Sequence, residues 1–127
     1  MLNGSDPKTV VLVVEDEALL RMDAVDTIRE AGFAVVEAAD ADAAIALIEG
    51  GNDIALVFTD LQLPGSMDGL TLAAAIKQRW PALKVIATSG DHDGGSAGRL
   101  PTGEPLLVKP YSNETLKRAI REAIDAG

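Results

Sequence analysis

The alternation of apolar runs and helical patterns along this chain predicts an α/β fold, a doubly wound parallel sheet built from five βα units. Two observations carry that expectation. Short runs of Val, Ile and Leu lack any polar alternation, as strands covered on both faces require. Between them lie segments whose apolar residues recur every three or four positions, the period of a helix with one buried face.

The elements follow in order. Met1 to Lys8 hold Asn, Gly, Ser, Asp and Pro and read as a flexible N-terminal tail, residues 1–8. Val10-Val11-Leu12-Val13-Val14 is a continuous apolar run and the first strand. Glu17 to Ala31 is helical, with Leu20, Ala24 and Ile28 four apart, and Gly32 stops it. Phe33 to Ala38 is a second short strand. Asp42 to Glu49 is a short helix with Ala43, Ala44, Leu47 and Ile48 together, ended by Gly50-Gly51. Ile54-Ala55-Leu56-Val57-Phe58 is a third buried strand. Leu70 to Arg79 is a helix that must finish before Pro81, because the residue ahead of a proline is pushed out of the helical region. Lys84 to Ala87 and Pro105 to Val108 are the fourth and fifth strands. The last helix starts near Asn113, with Ser112 as its cap and Glu114 in its first turn, and carries Leu116, Ala119, Ile120, Ala123 and Ile124 as its apolar stripe. Right-handed crossovers leave few topologies, and the flavodoxin-like strand order 2-1-3-4-5 fits. One stretch breaks the pattern. Gly90 to Gly103 holds five glycines and Pro101 where a fourth helix belongs, so that helix is expected to be short or irregular.

Composition bounds the function. The chain has one domain's worth of residues, 127, and a formal net charge of −9. A field of that sign repels nucleic acid and anionic membrane surfaces and suits a divalent cation or a basic partner face. Without cysteine, disulfides and thiolate metal sites are excluded, and the single His92 builds no histidine cluster. No apolar run reaches the ~20 residues of a membrane span, and the start has no signal-peptide layout. A soluble cytoplasmic domain is the resulting expectation.

Ligands of an open α/β sheet bind at the carboxyl ends of its strands, near the switch in strand order. Strand 1 ends in Glu15-Asp16-Glu17, strand 3 in Thr59-Asp60, strand 4 in Thr88-Ser89 and strand 5 in Lys109-Pro110. Each has an ordinary reading taken singly. Acids after strand 1 favour a helix N-terminus, Asp60 suits a turn, Thr88 a cap, and Lys109 a solvated surface. Those readings do not explain why acids, a hydroxyl and an ammonium meet on one rim. Chemistry does. Carboxylates packed at ~4 Å repel by about 4 kcal/mol per pair at a surface-like dielectric, and a hard divalent cation with oxygen ligands relieves this. Asp60 facing such a metal becomes a carboxylate nucleophile able to form an aspartyl phosphate. Lys109 offers positive charge to phosphoryl oxygens, and Thr88 offers a hydroxyl donor.

The ordered set Val13-Val14-Glu15-Asp16-Glu17, Thr59-Asp60-Leu61-Gln62-Leu63-Pro64 with Met67-Asp68-Gly69, Ala87-Thr88-Ser89 and Val108-Lys109-Pro110-Tyr111 resembles the response-regulator receiver domain of bacterial two-component systems. The resemblance spans Thr9 to Ala126 and makes residues 9–127 the receiver domain. It implies a phosphorelay phosphoacceptor in which Asp60 takes a phosphoryl group from a phosphohistidine of a sensor histidine kinase or histidine phosphotransfer protein. It implies Mg2+ held by Glu15, Asp16 and Asp60, with Asp16 the preferred direct ligand and the backbone carbonyl of Gln62 a further one. Thr88 is then the switch hydroxyl and Lys109 the phosphate-contacting lysine. Such a chain is no enzyme on outside substrates; it catalyses only its own phosphorylation and dephosphorylation. The surface around strand 4, helix 4 and strand 5 changes, and a protein target of unknown identity reads it.

Three departures stand out. Leu106 occupies the position, three before the lysine, that receivers usually give to an aromatic switch. One extra residue lies between Pro64 and Gly69, and the fourth helix is weakened. Without the aromatic, an order-to-disorder change across Gly90 to Gly103 is the expected signalling route. No DNA-binding segment follows, which suggests a stand-alone receiver or one excised from a larger protein. A haloacid-dehalogenase-like phosphatase would share the nucleophilic Asp and Mg2+ but needs a second acid two positions on, where Gln62 stands. A flavodoxin-like cofactor binder would need a phosphate-cradling loop where the acids lie. A non-phosphorylated pseudo-receiver would not need the intact set.

Overall fold

The computed structural model describes residues 8–65, 67–90, 98–100 and 103–126. Along them run β1 (Val10–Val14), α1 (Ala18–Glu30), β2 (Ala34–Ala38), α2 (Ala41–Glu49), β3 (Ile54–Asp60), α3 (Gly69–Arg79), β4 (Lys84–Ser89), β5 (Gly98–Arg99), β6 (Pro105–Val108) and α4 (Asn113–Asp125). The sheet order is β2-β1-β3-β4-β6-β5. The five long strands, β6 being the fifth expected from the sequence, pair in parallel in the order 2-1-3-4-5.

Strand side chains alternate between faces, so the uninterrupted apolar runs fill two cores at once. Leu12, Val14, Val57, Val85 and Ala87 face α2 and α3, meeting Ala41, Ala44, Leu72, Ala73 and Ile76. Val11, Val13, Leu56, Phe58 and Ile86 face α1 and α4, meeting Ala24, Val25, Ile28, Leu116 and Ile120. Each fully buried Leu or Ile contributes about 1.5–3 kcal/mol by leaving water.

Caps set the helix ends. Asp40, Asp68 and Ser112 each accept a hydrogen bond from the backbone N–H three residues on, at 2.8, 2.8 and 3.0 Å. α1 closes at Gly32 (φ 103°), whose N–H reaches the Arg29 carbonyl while Phe33 N–H reaches Ile28, as a left-handed C-terminal residue allows. The strands run further than their apolar cores suggested. β3 continues through Thr59 to Asp60 and β4 through Thr88 to Ser89, because both extensions stay in ladder register.

The expected fourth helix is not what the described part of Gly90 to Gly103 forms. Gly98–Arg99 is instead a short strand antiparallel to β6. Gly98 sits at φ 135°, outside the helical region, and buried Leu100 anchors the turn, donating to the Glu104 carbonyl and accepting from Gly103 N–H at 2.8 Å each. Residues 91–97, 101 and 102 lie outside the described residues, as does the expected tail through Pro7.

One glycine fixes the loop after β3. A Cβ on Gly69 would stand 1.9 Å from the Asp60 carbonyl oxygen and 2.6 Å from the Leu61 Cα, and the Gly69 N–H donates to the Leu61 carbonyl at 2.9 Å. The start of α3 is therefore pressed backbone-to-backbone against the end of β3. Gly69→Ala is expected to lower stability by about 1–3 kcal/mol, the range for forced overpacking. Urea unfolding reads this as a lower midpoint at unchanged slope; an unshifted midpoint would contradict the packing account.

Candidate functional site

Five strand ends and the turns beyond them build one rim. Backbone bonds just past the strands hold it: Glu15 N–H to the Ala38 carbonyl at 3.0 Å, Leu61 N–H to Thr88 at 2.9 Å, and Lys109 N–H to Ser89 at 2.8 Å. Fixed strand ends hold the side chains in place.

Asp60 is buried at the end of β3. One of its oxygens accepts from the Gln62 N–H at 2.8 Å, and the other accepts from Lys109 Nζ at 2.9 Å. The same ammonium reaches Glu15 Oε1 at 3.4 Å. Glu15 is buried as well, and its second oxygen accepts from the Glu17 N–H at 3.1 Å. Asp16 is exposed beside them. A carboxylate oxygen from each of Glu15, Asp16 and Asp60 lies within 4.8 Å of the other two. The structure thus brings together every acid expected at the metal site. At Gln62 the observed link is its backbone N–H, which donates to Asp60.

Charge in this cluster is unbalanced, with three carboxylates against one ammonium. Burial pushes the Glu15 carboxyl up to about 6, and the neighbouring Asp60 adds to this against the pull of the Glu17 N–H and Lys109. For Lys109, burial works to lower the ammonium's pKa, but the bond to Asp60 and the charges of Asp60 and Glu15 outweigh it, and the pKa is raised. The amine therefore stays charged and still leaves the acids in excess. An all-oxygen donor set with surplus negative charge fits a hard divalent cation.

Thr88 ends β4 opposite Asp60. Its hydroxyl is buried and has no hydrogen-bond partner among the described residues. Such an orphan suits a group that takes its partner only in another state. The Tyr111 phenol is near enough to feel its dipole without the geometry of a bond. Burial raises the phenol's pKa, with Lys109 opposing and Glu15 and Asp23 assisting. Edge-on contact with Phe58, ring centroids 6.1 Å apart at 86°, holds the Tyr111 ring and is worth about 0.5–1.5 kcal/mol beyond burial. Leu106 pairs with Ala87 in the sheet and packs toward the α2 and α3 core, on the other side from Tyr111.

Sequence reasoning missed Arg21. From α1 it donates to the Glu15 carbonyl at 2.8 Å and pairs with Glu37 at 3.1 Å, tying the acidic turn to the end of β2. No spacing rule signals this, because the contact spans sixteen positions to Glu37. A concavity of about 600 Å³ lies at the opposite end of the sheet among Ile48, Trp80, Lys84 and Ile124, away from the acids.

The raised Glu15 carboxyl yields a pH dependence. The native state holds the proton more tightly than the unfolded chain, so this group's contribution is full below about 4.5 and is lost as pH rises through about 6. The loss is about 2 kcal/mol. In metal-free buffer, Glu15→Gln should remove this decline, so the variant gains on the parent between those pH values in urea unfolding. Parallel pH profiles would contradict the assignment.

Against known proteins, the pattern described as the response regulator receiver domain matches residues 11–121. The chain is 36% identical over 116 residues to the transcriptional regulatory protein PdtaR of Mycobacterium tuberculosis, covering 90% of this chain and 56% of that protein. It is 33% identical over 127 residues to the sensor kinase CckA of Brucella abortus, covering 98% of this chain and 13% of the kinase. The chain thus spans from about an eighth to about half of these relatives. The crystal structure of the receiver domain of NtrX from Brucella abortus superposes with a TM-score of 0.82 at 30% identity, covering 92% of this chain and 99% of that one.

Proposed function

This chain belongs to the response regulator receiver domain family, and from that premise we propose that Asp60 is its phosphoacceptor in a two-component phosphorelay. The observation that carries the proposal is the placement of Asp60. It is a buried carboxylate between the Lys109 ammonium and two further acids, at the switch in strand order where α/β sheets bind ligands.

Each residue has a task in this reading. An Asp60 oxygen attacks phosphorus as the donor's P–N bond breaks and the electron pair leaves with the histidine nitrogen. Lys109, now on Asp60, transfers its attraction to a phosphoryl oxygen and neutralises charge there. The unpaired Thr88 hydroxyl donates to another phosphoryl oxygen. Asp16, Asp60 and the Gln62 carbonyl, with Glu15 behind, would hold Mg2+, which would supply charge neutralisation for the phosphoryl group. Arg21 and the Glu17 N–H keep Glu15 facing the cluster. The chemistry falls on the protein's own side chain and turns over no separate substrate.

The donor is a phosphohistidine of a sensor histidine kinase or of a histidine phosphotransfer protein. The relative CckA, a sensor kinase, contains a segment similar to this chain, which supports a kinase-linked setting. Phosphorylation alters the surface around β4 and β6 for a protein target, and a cytoplasmic site suits such partners. Among the described residues no helix is long and apolar enough to cross a membrane. The phosphatase reading loses ground because Gln62 stands where its general acid would be, with its N–H committed to Asp60.

Incubation with acetyl phosphate and Mg2+ should add the mass of one phosphoryl group to the parent protein and none to Asp60→Asn, which should keep its fold by circular dichroism. Persistence of the added mass in the folded variant would overturn the assignment.

A further inference from the structure

Three of the four described helices begin under a side-chain cap, from Asp40, Asp68 and Ser112. α1 does not. Glu17 stands at its N-cap position without a side-chain bond to the backbone, and no acid lies in its first turn. The turn Glu15-Asp16-Glu17 therefore enters α1 without the usual local tether, although it carries two of the three acids of the rim. Arg21, one turn into α1, bonds to both sides of this turn. Its backbone N–H donates to the Glu17 carbonyl at 2.9 Å, on the helix side. Its Nη1 donates to the Glu15 carbonyl at 2.8 Å, on the strand side. Its Nε donates to Glu37 Oε1 of β2 at 3.1 Å.

We propose that Arg21 is a positioning residue for the divalent cation, clamping the Glu15–Asp16 peptide so that the Asp16 carboxylate is held toward Asp60. The inference rests on the reading of Glu15, Asp16 and Asp60 as a Mg2+ site. The Glu15 carbonyl and the Asp16 N–H belong to one planar peptide unit, so holding that carbonyl fixes the plane from which the Asp16 side chain leaves the backbone. Asp16 needs this most. Glu15 and Asp60 have carboxylate oxygens bonded to Lys109 and to backbone N–H groups. Asp16 is exposed and takes its direction from the backbone beneath it. Glu37 anchors the guanidinium to β2, where it pairs in register with Val13, two residues before Glu15. An ion pair as exposed as Arg21–Glu37 contributes little to stability. What the guanidinium offers is a rigid planar fork of donors, here split between a carbonyl and a carboxylate. Direction and charge act oppositely at this position. A cation beside the acidic turn repels an incoming Mg2+. The clamp favours the same ion by keeping its ligands together.

The opposition gives the test its sign. Mg2+ alone is titrated into the parent protein, Arg21→Gln and Arg21→Lys, and the dissociation constant is read from the Asp16 and Asp60 amide shifts by NMR, with the fold of each variant checked by circular dichroism. Arg21→Gln is expected to bind Mg2+ about tenfold more weakly, the lower end of what losing a group that orients a metal ligand costs. Charge alone predicts tighter binding in that variant. Arg21→Lys keeps the charge and loses the fork, and is expected to bind more weakly than the parent as well; charge alone predicts no change. A residue that only stabilised the fold would leave the dissociation constant of the folded variants where it was. Equal or tighter Mg2+ binding by folded Arg21→Gln, or parental affinity in Arg21→Lys, overturns this proposal and leaves the metal site intact. Should Arg21→Gln fail to fold, Arg21→Lys decides. No shift at Asp16 and Asp60 in the parent protein overturns this proposal together with the metal reading on which it rests.

Discussion

Lys109 Nζ and Asp60 meet at 2.9 Å across the ends of β6 and β3, with Glu15 from β1 within reach of the same ammonium at 3.4 Å. Three strand ends converge on one positive charge. A largely buried ion pair of this kind is a weak source of stability, because desolvating both partners offsets much of their attraction. Here the offset is worse, since a second carboxylate, Glu15, crowds the same ammonium and its own pKa is driven up to about 6. A chain selected for stability alone would be served as well by apolar residues at these positions. The arrangement makes sense as a site held short of one cation and open to a phosphoryl group.

The rest of the fold holds that arrangement in place. The parallel sheet sets the strand ends side by side, and the two apolar cores fix the sheet from both faces. Bonds just beyond the strands extend the ladder to Glu15, Leu61 and Lys109. Gly69 lets α3 press against the Asp60 backbone, closing the loop that delivers the Gln62 N–H to the carboxylate. At the rim the buried Thr88 hydroxyl has no hydrogen-bond partner among the described residues and shares a cavity wall with Lys109 and Tyr111.

Most of this was legible in the sequence, for physical reasons. Strands buried on both faces leave an apolar run that hardly resembles anything else, so Val10–Val14 and Ile54–Phe58 could be placed, and the polar residues that end them located the rim. Glu15, Asp16, Asp60, Thr88 and Lys109 all arrive there. What stayed hidden depends on three-dimensional approach. Gly69 is required by a backbone contact with Asp60 that no local pattern encodes. Arg21 is an ordinary helix-face residue until β2 brings Glu37 beside it. Gly98–Arg99 became a strand because β6 offered an edge, whereas glycine content alone said only that a helix would be poor. Tyr111 was part of a recognisable motif, but its position beside an orphan hydroxyl and a cavity is a property of the packed molecule.

The central claim is that Glu15, Asp16 and Asp60 form a cluster carrying more negative charge than Lys109 can balance, built to take a divalent cation. Urea unfolding as a function of Mg2+ concentration tests it directly. Once Mg2+ exceeds its dissociation constant, stability should climb by about 1.4 kcal/mol per tenfold increase, because the ion binds the folded cluster and not the unfolded chain. Asp16→Asn should weaken that climb and Asp60→Asn should do the same. A midpoint indifferent to Mg2+ in the parent protein, or an equal climb in both variants, would contradict the account.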